Sequence, residues 1–187
     1  MNVPTDMTPE FSKVLAVADV PPNGTFVKFD VSEAERAALA ERFGLVAIHS
    51  FSGKVGVKPW RRHGLALEGS FTADVVQTCV VSLEPMDARV SENFSLNFLP
   101  LEMIERDAAR AAESEIIVDV ESADEPEVIE NGKIDLGEAM SEQLALALDP
   151  YPRKPDAVPA KTVIEPEDVA EIRPNPFAAL EKLKRKD

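Results

Sequence analysis

The run Lys58-Pro59-Trp60-Arg61-Arg62-His63-Gly64 carries the sharpest local chemistry in the chain. An indole beside two guanidinium groups can stack on a nucleobase and hold phosphates. The run separates two strand-like segments, so it reads as a hairpin tip, and the residues expected to touch RNA there are Lys58, Trp60, Arg61 and Arg62. The plainer alternative is a solvated turn with Trp60 folded back onto the sheet. Cys79 is the lone thiol. A nucleophilic thiol needs a nearby base; with Thr78, Val80 and Val81 around it, Cys79 reads as a buried structural residue. His49 and His63 are the only histidines and lack HExxH-type spacing, so no metal site is expected. The many acids lie in polar sequence, not in the apolar surroundings that raise a catalytic carboxyl, and read as a solvated face. Neither GxGxxG nor GxxxxGK occurs. No catalytic residue and no cofactor is expected, and the chain does not read as an enzyme.

Charge says where such surfaces can lie. The chain has 187 residues and a formal charge of −14, which argues against coating a phosphate backbone with the whole surface. Between Glu102 and Glu142 there are fourteen acids against three bases, a local charge of −11. Between His49 and Leu67 there is no acid, and Lys54, Lys58, Arg61 and Arg62 give +4. An acidic body with small basic sites suits localised recognition. One cysteine excludes an intramolecular disulfide, no apolar run is long enough to span a membrane, and the N-terminus lacks the pattern of a signal peptide. Those features favour the cytoplasm.

The elements that must position these residues follow from periodicity. Phe11 to Val17 is a weak strand, Pro21-Pro22-Asn23-Gly24 a turn, and Thr25 to Phe29 a short strand. Ser32 and Glu35 form a capping box for a helix that Gly44 stops. Leu45 to Val57 is extended but broken by Gly53 and Gly56. Leu65 to Val75 and Met86 to Phe98 alternate, each with one dry and one wet face, as in an antiparallel sheet covered on one side. Glu105 to Glu130 reads as a mobile acidic loop, with a strand at most at Ile116-Ile117-Val118. Asp135 and Glu138 start a second helix with Leu136, Met140, Leu144, Ala147 and Leu148 along one face. The expectation is an α+β domain over residues 8–150: an antiparallel sheet, open or partly closed, covered by two main helices.

Seven prolines between Pro150 and Pro176 mark residues 151–174 as a linker. Asn175 and Pro176 then open a short basic amphipathic helix over residues 175–187, with Phe177, Leu180 and Leu183 as an apolar stripe. Such a helix is too short to stand alone and is expected to dock on its own domain or on a partner.

From about Leu65 onward the chain resembles the YceD-type large-ribosomal-subunit RNA accumulation proteins, a bacterial family. Three pieces carry the likeness: Gly69-Ser70-Phe71-Thr72-Ala73 running into Cys79-Val80-Val81-Ser82-Leu83-Glu84-Pro85; Ile134-Asp135-Leu136-Gly137-Glu138 with Leu144 to Leu148 and Pro150; and Asn175-Pro176-Phe177-Ala178-Ala179-Leu180. Many relatives carry Cys-x-x-Cys-Leu in the first piece and further cysteines after the last long helix. Here Ser82 replaces the second cysteine and the later region reads Pro150-Tyr151-Pro152-Arg153-Lys154-Pro155, so the likeness implies a metal-free version of the fold. It implies a part in ribosome biogenesis, in the accumulation or processing of large-subunit ribosomal RNA, and no catalytic residues. With the acidic stretch, the expected partner is a basic ribosomal or assembly protein, and ribosomal RNA is a second partner through the basic sites.

Overall fold

The computed structural model describes residues 9–113 and 125–158. Three long strands dominate it: β3 (Ala47–Trp60), β4 (Gly64–Thr78) and β5 (Pro85–Pro100). β2 (Thr25–Asp30) flanks β3, and β6 (Glu127–Ile129) flanks β5, giving the order β2-β3-β4-β5-β6. Every pairing is antiparallel except β5 with β6, which is parallel. The sheet is open, with β2 and β6 at its edges, which removes the partly closed arrangement from the expectations. β1 (Val14–Ala16) and β7 (Lys133–Asp135) form a separate two-stranded sheet.

The alternation read from the sequence is the alternation of the sheet. On the dry face Val55, Val57, Leu65, Leu67, Phe71, Ala73 and Val75 are buried, with Val90 and Phe98 from β5. Phe51 lies at the centre, fully buried, with its ring edge-on to Phe29 at 5.3 Å and to Phe71 at 5.6 Å between centroids. Leu39 from α1 (Glu33–Phe43) and Met140 and Leu144 from α3 (Leu136–Ala147) join the same core.

Gly53 and Gly56 do not break β3; both are paired within it. Gly53 lies opposite Phe29 and Gly56 opposite Phe26, while in β4 Gly69 lies opposite Phe94. A Cβ on Gly53 would fall 2.8 Å from the Phe29 ring and one on Gly69 2.7 Å from that of Phe94. Each glycine thus admits an aromatic ring across the strand boundary, the device by which rings make up for a missing side chain in a sheet.

The helix ends follow the cap chemistry. Ser32 caps α1 with the full capping box to Glu35, and Gly44 closes it at φ 66°. Asp135 caps α3 by accepting from the backbone N–H of Gly137 at 2.9 Å and of Glu138 at 3.3 Å. The same carboxylate accepts from Lys13 N–H at 2.7 Å, which ties β1 to the start of α3. Arg42 joins α1 to α3 through both Glu138 oxygens and also reaches Glu10 at 2.9 Å.

The acidic stretch differs from its reading as a loop. Its first part is a helix, α2 (Leu101–Glu113), which follows directly on Pro100. Its apolar stripe is thin, since only Met103 and Ile104 are half-buried among its first ten residues and Leu101 is 52% exposed. The helical period is nonetheless present, with Leu101, Ile104, Ala108 and Ala111 at helical spacing among the charges, and the acid-rich composition masks it. The one described strand from that stretch is β6, at Glu127–Ile129; Ile116-Ile117-Val118, Phe177, Leu180, Leu183 and most of the proline-rich segment lie outside the described residues.

Gly53→Ala tests the register. Its Cβ would also fall 2.5 Å from the Ser70 carbonyl oxygen, so a backbone must shift. A loss of about 1–3 kcal/mol is expected in urea unfolding; an unchanged midpoint would mean that β2, β3 and β4 are not paired as described.

Candidate functional site

The hairpin tip joins β3 to β4. Trp60 pairs with Gly64 and leaves Arg61, Arg62 and His63 as the loop. Arg61 and His63 take φ of 48° and 71°, the left-handed region that costs a residue with a Cβ about 1 kcal/mol or more. Arg61 is held from two sides: its guanidinium lies 4.3 Å from the Trp60 ring centroid and donates to Asp107 of α2 at 2.7 Å. Lys58 stands 3.7 Å from Glu68 across the strand pair, and Arg62 is exposed. The tip residues singled out in the sequence are therefore brought together, with Arg61 clamped onto α2.

Sequence reasoning missed a second cationic group on the wet face of the sheet. The register aligns Lys28, Lys54, Ser70 and Asn93 in one row across β2 to β5. Lys28 and Lys54 are directly opposite each other, and neither has a carboxylate within ion-pair distance among the described residues. Phe26, 67% exposed, lies in the next row over Gly56, with the Lys54 ammonium 4.1 Å from its ring centroid. The alternation Phe26-x-Lys28-x-Asp30 was present in the sequence, but only the pairing of β2 with β3 sets Lys28 against Lys54.

The Cys79 turn is the third group. Cys79 is fully buried, and its sulfur accepts from the backbone N–H of Ser82 and of Lys154, both at 3.5 Å. Val80 N–H donates to the Pro152 carbonyl at 2.9 Å, and Lys154 Nζ reaches Glu84 at 2.7 Å. The turn after β4 and the chain after α3 thus meet, stitched by a backbone hydrogen bond and an ion pair. One thiol and one serine hydroxyl do not make a thiolate zinc site, and among the described residues no three of His, Cys, Asp and Glu converge. Hydrogen bonds from the Ser82 side chain and backbone, then from Lys154 N–H, bring the thiol down from 9.0 to about 6, against the opposing pull of burial.

Acids also meet at the β6 edge, where α2 packs against β6 and Glu142 of α3 lies near Glu127. Glu127 in β6 is half-buried, and burial first, then the neighbouring Glu142, push its carboxyl above the usual range. Asp107 and Glu138 are neutralised by Arg61 and Arg42, whereas Glu127 and Glu142 have no ion pair among the described residues.

An open sheet with a polar exposed face, an acidic edge and a clamped basic tip defines an α+β protein whose candidate sites are surfaces. The chain belongs to the family described as Large ribosomal RNA subunit accumulation protein YceD, whose model matches residues 67–184. No curated protein and no solved structure matched. The match begins inside β4 and takes in the Cys79 turn, α2 and α3. The family's description gives it a role in large-subunit ribosomal RNA accumulation. None of the described helices is long and apolar enough to cross a membrane.

Because the Cys79 thiol titrates lower when folded, its contribution to stability is complete above about pH 9 and is lost as the pH falls through about 6. The melting temperature of the wild type should rise between pH 6 and pH 9 relative to Cys79→Ser, which should fold. Parallel profiles for the two proteins would show that the thiol stays protonated in the folded state.

Proposed function

We propose that the protein acts in ribosome biogenesis in the cytoplasm, supporting accumulation or processing of large-subunit ribosomal RNA without catalysing a reaction, and that it does so by holding a basic ribosomal or assembly protein on its acidic edge. Family membership supports the ribosomal part of this reading. The partner's chemistry rests on one observation: Glu127 is crowded by Glu142 and raised, with no cation to relieve it among the described residues. A lysine or arginine supplied from outside would favour both ionised carboxylates and gain from a field that α2, with Glu102 and Glu105 exposed, extends. A basic protein can place such side chains one at a time; a nucleic acid, itself anionic, is repelled there.

Two measurements on Glu127→Gln with Glu142→Gln test this. Wild-type protein should retain basic proteins from an RNA-free extract of large ribosomal subunits, and the double variant should lose most of that retention. Retention that needs RNA, or that survives the substitutions, would contradict the reading. Glu127→Gln alone should raise the melting temperature at pH 7 by removing a disfavoured charge, and the gain should shrink as the pH falls towards about 4.5, because the raised wild-type carboxyl takes up its proton above that value.

A further inference from the structure

We propose that the wet face of the sheet binds single-stranded RNA, with a phosphate seated between Lys28 and Lys54 and a base stacked on Phe26. This goes beyond the protein-binding reading of the acidic edge, and either can fail alone. Like charges directly opposite on neighbouring strands destabilise a sheet. Lys28 and Lys54 stand so, with no carboxylate bridging them among the described residues. A phosphate turns that repulsion into two charge-assisted contacts. The depression at this point is lined by Lys28, Asp30, Ser52, Lys54, Ser70 and Thr72.

Three further features select the ligand. Phe26 is an exposed ring in the adjacent row whose outer face the Lys54 ammonium covers at 4.1 Å; when Lys54 turns to a phosphate that face is freed, and aromatic platforms on open sheets stack bases with little regard to sequence. Ser70 and Asn93 continue the lysine row and can exchange hydrogen bonds with a 2′-hydroxyl, which DNA lacks. The rows on either side carry Glu68 and Asp30. These carboxylates repel an unbroken run of negative charge such as an acidic peptide, yet accept hydrogen bonds from base amino groups. A phosphate flanked by neutral bases fits that arrangement. Four strands spaced about 4.8 Å apart make the row about 14 Å wide, room for two or three nucleotides.

The test is fluorescence anisotropy of the full chain with a labelled twelve-nucleotide oligouridylate at low salt. Wild type should bind, with a salt slope of about −0.7, the value for one phosphate contact on a single strand. Lys28→Ser with Lys54→Ser should weaken binding at least tenfold and flatten the slope, with the melting temperature changed little, because the repulsive pair and the Lys54–Phe26 contact are lost together. Phe26→Ser should cost about tenfold through lost stacking. Arg61→Ala with Arg62→Ala should leave affinity within about twofold. No binding by wild type overturns the proposal, as does undiminished binding by the lysine variant. Loss confined to the arginine variant moves the RNA to the hairpin tip. Polyglutamate binding as tightly as oligouridylate, with Phe26→Ser silent, makes the face a general anion patch. A dimer that the lysine substitutions dissociate puts a second copy there. Each of these last three outcomes also overturns the proposal.

Discussion

Period-two alternation, held in register across three strands of 14 to 16 residues, is the constraint on which the structure depends. A one-residue slip between β3 and β4 would turn Phe51, Val55 and Val57 to water and bring Ser52 and Lys54 into the core. The cross-strand pairs of Gly53 with Phe29 and Gly69 with Phe94 help to fix the registers on either side, β2 on β3 and β5 on β4, because each ring needs the space that a Cβ would fill. With the dry face committed to Leu39, Met140 and Leu144, the other face of the same strands stays polar and exposed. Fold and recognition surface are therefore two faces of one pairing pattern.

The legible part was what alternation and caps determine locally. Leu65 to Val75 and Met86 to Phe98 showed their two faces in the chain, and Ser32, Gly44 and Asp135 marked helix ends that the structure keeps. Gly53 and Gly56 misled, because a glycine reads as a break until its aromatic partner on β2 is known. α2 was legible, since Leu101, Ile104, Ala108 and Ala111 recur at helical spacing, but its acid-rich composition reads as a loop when period is not weighed first. The parallel pairing of β6 is non-local and has no local signature. Of the candidate site, the basic tip was visible as a run of residues. The Lys28–Lys54 pair was not, since its members lie on separate strands and acquire meaning only from their register.

The charge that looked diffuse has an address on each side of the molecule. Glu127 and Glu142 crowd at the edge near α2, while the unneutralised cations of the wet face stand between β2 and β3. Arg61, bonded to Asp107, links the hairpin tip to the acidic helix. At the Cys79 turn, Lys154 with Glu84 and Val80 with Pro152 join the segment after β4 to the segment after α3, so this chain holds the junction by an ion pair and a backbone hydrogen bond. Under the two proposals above, such separation lets an anionic ligand and a cationic one bind without competing for one surface.

The central claim is that the wet face of the sheet is a recognition surface and not merely the solvated back of a core. Backbone amide shifts of the isotope-labelled protein, recorded while an oligouridylate is added, test it most directly. The account predicts that the largest shifts fall on Phe26, Lys28, Lys54, Ser70 and Asn93, in adjacent rows across four strands, with α1 and α3 silent. Shifts confined to Arg61, Arg62 and α2, or no shifts at low salt, would contradict it.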